Sequence, residues 1–130
     1  MFGLLLIWEA GISQNADVVK FNAFQFAMID RDDQYDKVKW SKTDILVVIN
    51  AQKKKVSIYS DSEQEYSWIS VEKSFDRDKD ADVISGDAID RRGKRCTIEF
   101  MRYRVPETEH IATLIITYRD FMWAYRLKEG

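Results

Sequence analysis

The 130-residue chain has one cysteine, one histidine, one proline and five glycines. A lone cysteine, Cys96, excludes an internal disulfide, and with a single histidine it excludes a metal centre built from those two ligand types. So little proline and glycine leaves no linker and no low-complexity tract, and no repeat recurs at solenoid or propeller periods. The length therefore describes one domain, large enough to bury roughly two thirds of its unfolded surface without a covalent or metal staple. An excess of one charge is also missing: 20 basic residues face 22 acidic ones, for a net charge of −2. A dedicated nucleic-acid or anionic-membrane binder draws its affinity from a strong positive field, so no nucleic-acid partner is expected. No apolar run approaches the roughly 20 residues that span a bilayer as a helix, so no integral membrane segment is expected either.

What the chain does have is alternation. Helical spacing of apolar residues is scarce, doubtful even over residues 11–19, whereas period two recurs from Lys20 onward. Phe24, Phe26 and Met28 share one parity, as do Val56 and Ile58, then Tyr66 and Trp68, then Cys96, Ile98 and Phe100, and finally Trp123, Tyr125 and Leu127. The stretch "TDILVVIN" is a continuous run rich in β-branched residues, which predicts a strand covered on both sides or placed at a closing seam. "ADVISGDAI" is the weakest strand pattern. Eight or nine short strands joined by polar turns predict an all-β fold: a small antiparallel barrel of about eight strands, lipocalin-like or calycin-like, or alternatively a β-sandwich. Closure favours the barrel, because it removes the edges that β-branched strands would otherwise expose.

The first residues, "MFGLLLIWEAGIS", combine a short apolar stretch with the small-residue triplet Gly11, Ile12, Ser13. That pattern fits an export signal over residues 1–13 followed by a single β domain over 14–130, although no lysine or arginine precedes Lys20. The plain alternative is an N-terminal segment packed on the core. The matching localisation is periplasmic or secreted in the first case and cytoplasmic in the second.

Five aspartates stand out. Asp76, Asp78, Asp80, Asp82 and Asp87 occupy positions 1, 3, 5, 7 and 12 of a calcium-loop count. Ala81 stands where that loop requires glycine, and Arg77 and Lys79 lie between the carboxylates, so a solvated hairpin tip is expected and no metal. The basic runs Lys53 to Lys55 and Arg91 to Arg95 fall at turns, where charge is the ordinary surface. His110 is expected at the surface and Cys96 in the core; neither advertises catalysis. The aromatics Trp40, Tyr59, Tyr66, Trp68, Tyr103 and Trp123 are the candidates for lining a ligand cavity, since small barrels can hold one apolar molecule. Tyr118 and Tyr125 belong to the same aromatic set, most of which is expected to be core.

Three stretches, "KVKWSKTDILVVINAQKKKVSIYS", "QEY" and "DAIDRRGKRCTIEF" with "IITYRDFMWAYRL", together resemble a group of small exported β-rich proteins of Gram-negative bacteria. The similarity covers most of residues 20–127. It implies export and a β-fold, and it brings no catalytic residue, because no activity is established for that group. The expected function is an exported, non-enzymatic domain, without a cofactor, that binds a small apolar molecule or a protein partner. The alternatives are an interaction module with no ligand cavity, and a carbohydrate-active enzyme resting on a carboxylate pair that sequence spacing does not reveal.

Overall fold

The computed structural model describes residues 18–30, 38–106 and 108–130. The segment read as an export signal lies outside them. Nine strands follow in order: β1 (Val18–Asp30), β2 (Ser41–Asn50), β3 (Lys55–Tyr59), β4 (Gln64–Trp68), β5 (Glu72–Asp76), β6 (Ala81–Asp90), β7 (Arg95–Tyr103), β8 (Ala112–Thr117) and β9 (Phe121–Glu129). All pairings are antiparallel, β9 returns to β1, and β4 pairs with β6 to close the ring. Eight strands make an up-and-down barrel and β5 is the extra one. Among the described residues no helix forms, and none is long and apolar enough to cross a membrane.

Alternation does the work expected of it. Val56 and Ile58, Cys96, Ile98 and Phe100, and Tyr125 and Leu127 all point into one continuous core. An eight-stranded barrel is just wide enough for side chains to fill, and here they do: Phe21, Phe100, Leu114, Ile116 and Leu127 are almost wholly buried. Phe21 and Phe100 meet near the middle with ring centroids 5.4 Å apart.

Three expectations need correction. In β1 the register slips between Ala23 and Gln25 against both neighbouring strands. This bulge sends Phe26 inward opposite Tyr125 but leaves Phe24 outside, edge-on to His110 at 6.1 Å and beneath Lys128. The two phenylalanines thus lie on opposite faces despite their shared parity, because one extra residue inverts every side chain beyond it. In β2 only Val47 and Ile49 are buried, while Leu46 is 40% exposed. That strand is covered on one side, and the seam lies between β4 and β6 instead. Finally, β6 is no marginal strand: it touches β4, β5 and β7.

The extra strand has a simple origin. Trp68 pairs with Ala88 and Glu72 with Ser85, so three residues, 69–71, oppose two on β6. β5 is therefore β4 continued along the same edge of β6 after a bulge, past the point where β3 begins. Both Ile69 N–H (2.7 Å) and Ser70 N–H (3.4 Å) donate to the Asp87 carbonyl and hold the bulge.

The aspartates sit on the hairpin that follows. Asp76 accepts the Lys79 amide at 3.1 Å, Asp80 adopts a left-handed φ of 50°, and Asp82 pairs with Arg104 at 2.8 Å. Asp87 is exposed farther along β6. Among the described residues no three histidine, cysteine or acidic side chains gather in a way that could hold a metal ion.

Candidate functional site at the barrel mouth

In an up-and-down barrel, alternate turns share an end. The β3–β4 loop, the β6–β7 turn and the β8–β9 turn therefore surround one mouth, and the closing pair Tyr66↔Asp90 draws them together. Between them lies an open recess of about 870 Å³. Its walls come from Gln64 and Tyr66 on β4, Asp90 at the end of β6, Tyr118 just after β8, and Phe121 and Trp123 on β9.

The aromatic floor is stacked. The Tyr118 and Phe121 rings lie 5.1 Å apart at 19°, and Trp123 meets Phe121 edge-on at 6.0 Å. Behind them Phe26 touches both Trp123 and Tyr125, each at 6.5 Å. Phe121 and Trp123 are only half-buried, so part of each ring faces the recess.

The Tyr66, Gln64, Tyr118 and Asp90 side chains are already engaged. Tyr66 donates its hydroxyl proton to Gln64 Oε1 at 2.6 Å, and Tyr118 donates to Asp90 Oδ2 at 2.8 Å. Asp90 Oδ1 accepts the Arg92 and Lys94 amides, both at 2.9 Å, while Gly93 takes the turn's positive φ of 82°. One carboxylate thus ties the β6–β7 turn to the end of β8. Burial raises the Asp90 pKa, but hydrogen bonds from Tyr118 and the two amides, with the Arg92 charge, outweigh it and hold the group below its ordinary value. Burial foremost pushes Tyr66 up to about 12 and Cys96 up to about 11. Tyr118 is raised as well, by burial first and then by donating to Asp90.

The sign of the pH effect follows. A carboxylate with a depressed folded pKa stabilises the fold above its unfolded value, about 3.9, and that contribution disappears as pH falls through the folded value. Asp90→Ala is expected to cost about 2 kcal/mol at neutral pH, the size of hydrogen bonds to a charged group reduced by partial solvent screening. The difference from the parent should shrink below about pH 4. Urea unfolding at pH 7 and pH 3 checks it; an equal loss at both would contradict the assignment.

The six aromatic candidates do not converge. Tyr66 and Trp123 line the recess. Trp68 is buried in the core, where its indole N–H donates to the Ile98 carbonyl at 3.4 Å. Trp40 lies against the outer wall, its ring 4.1 Å from the Arg126 guanidinium. Tyr103 is also outside, sharing the Thr113 hydroxyl with His110, each contact 2.8 Å. Tyr59 is 47% exposed at the end of its strand. Sequence reasoning missed Phe121, Gln64 and Asp90. The usable signal was the turn order, which puts Arg91–Lys94 and the residues flanking 119–120 at the same end. Comparison with protein-family models, curated proteins and solved structures finds no match.

Proposed function

We propose that the protein is a non-enzymatic binding domain that holds a small, largely apolar molecule in the recess at the barrel mouth. The observation that carries this reading is the half-exposed aromatic floor of Phe121 and Trp123, under a recess of about 870 Å³, in a barrel otherwise filled by side chains. That volume lies within the usual range of ligand sites, about 300–1,000 Å³.

The absence of catalysis in this proposal rests on the state of the groups present. Both Asp90 oxygens are occupied, and its lowered pKa suits a fixed anion, not a general acid. The raised pKa values of Tyr66 and Cys96 keep both protonated and poorly nucleophilic at neutral pH. Export belongs to the same proposal and is supported by the N-terminal pattern and the family resemblance.

The neutral fluorophore N-phenylnaphthylamine supplies the test. It should bind saturably at one site, and Phe121→Ala should weaken it about fivefold, the worth of one aromatic contact. Saturable binding untouched by both Phe121→Ala and Trp123→Ala would place the site elsewhere and refute the proposal.

A further inference from the structure

We infer that the ligand is a flat aromatic anion: its ring lies on the Phe121–Trp123 floor, and its carboxylate or sulfonate is held by Arg91, Arg92 and Lys94. This rests on the recess being a binding site and adds the ligand's shape and charge.

Shape comes first. The barrel below the floor is packed, with Ile98, Phe100, Leu114 and Ile116 at 1% exposure or less. A long acyl chain would need a tunnel past these four side chains, which present almost no accessible surface. A planar ring needs only the open recess, where it can meet the exposed part of the aromatic floor.

Charge comes second. Six charged side chains line the recess: Glu63, Glu65, Asp90, Arg91, Arg92 and Lys94. Their formal sum is zero, but the charges are not equally available. Asp90 is saturated by the Tyr118 hydroxyl and two amides. Glu65 faces Lys55 at 3.5 Å. Among the described residues Arg91, Arg92 and Lys94 make no ion pair. Among the described residues, three cations without an ion pair therefore occupy one short turn, set against Glu63 and against an Asp90 carboxylate that stays charged but already accepts three hydrogen bonds.

Position comes third. Asp90 and Gly93 fix the turn, so the cations are presented before any ligand arrives. Lys94 Nζ stands 5.3 Å from the centroid of the Tyr118 ring, which itself stacks on Phe121. The rim cation thus lies at the border of the floor, where a ring substituent would emerge. Two such cations beside one carboxylate or sulfonate give the charge-assisted bonds that orient a ligand.

The experiment uses two probes with one skeleton, neutral N-phenylnaphthylamine and its anionic counterpart anilinonaphthalene sulfonate, on the full chain. The anion should bind about tenfold tighter at low salt, and its advantage should shrink to about twofold near 0.5 M NaCl as the rim charges are screened. Replacing the rim together, Arg91→Gln, Arg92→Gln and Lys94→Gln, should abolish the preference, so that this variant binds the two probes about equally. The pair Lys53→Gln and Lys79→Gln, at the far end of the barrel, should leave the preference intact; its loss there would show general surface adsorption and overturn the inference. Equal affinities for the two probes, or a preference that survives the rim variant, would overturn it too while the recess stands as a site. Saturable binding of neither probe would remove both the inference and the reading beneath it. Thermal unfolding of each variant distinguishes lost binding from lost fold.

Discussion

Gly86→Ala is expected to destabilise the protein by about 3 kcal/mol or more, beyond the usual cost of an added methyl group in a packed core. Gly86 shares the parity of Ile84 and Ala88, which are buried in the barrel core. The bulge that joins β4 to β5 folds the Ser70 carbonyl into that space. A Cβ built on Gly86 would lie 1.8 Å from the Ser70 oxygen and 2.8 Å from its carbon. Neither atom can rotate away, because both belong to backbone held by the bonds to Asp87. Either β6 retreats or the bulge opens, and both weaken the closing seam. Chemical unfolding would show the loss, and a melting temperature lower by on the order of 10 °C should accompany it. A variant as stable as the parent would mean that residues 69–71 do not pass over β6 in this way.

The second large effect is expected at Phe100. Its side chain is 1% exposed and packs against Phe21 in the middle of the barrel. Truncation to alanine should cost about 3–5 kcal/mol, the transfer term plus the cavity left by a rigid wall of strands. The neutral probe should still bind at the mouth with its parent affinity. A loss near 1 kcal/mol would instead mean that few side chains contact the ring, which then borders an internal void. The ligand would then belong inside the barrel and not at its end.

Much of this architecture was legible because alternation is a local signal. Val56 with Ile58, and Cys96 with Ile98 and Phe100, declare their buried face without reference to any partner strand. What sequence could not show depends on pairing. The slip at Phe24 exists only against β2 and β9, so nothing in "NAFQFAM" warns that Phe24 and Phe26 part company. The β2 run looked doubly covered because leucine and valine tolerate a half-exposed outer face; Leu46 is 40% exposed there. The need for glycine at position 86 comes from a carbonyl 16 residues earlier in the chain. The site was harder still, since the bond from Tyr118 to Asp90 spans 28 residues and the recess exists only where three turns meet. The basic run at Arg91 to Arg95 is visible in the sequence as ordinary turn charge; that the Asp90 carboxylate spends its oxygens on the turn amides and Tyr118 is not.

The mouth, its recess and the proposed ligand all require β4 to meet β6, and cross-strand nuclear Overhauser contacts measure that most directly. Backbone contacts joining Tyr66 to Asp90, Ser67 to Ile89 and Trp68 to Ala88 are the predicted result. A spectrum showing every other antiparallel pairing but none across these three would mean an open sheet, with Gln64 and Tyr66 far from Tyr118 and no recess for a ligand to enter.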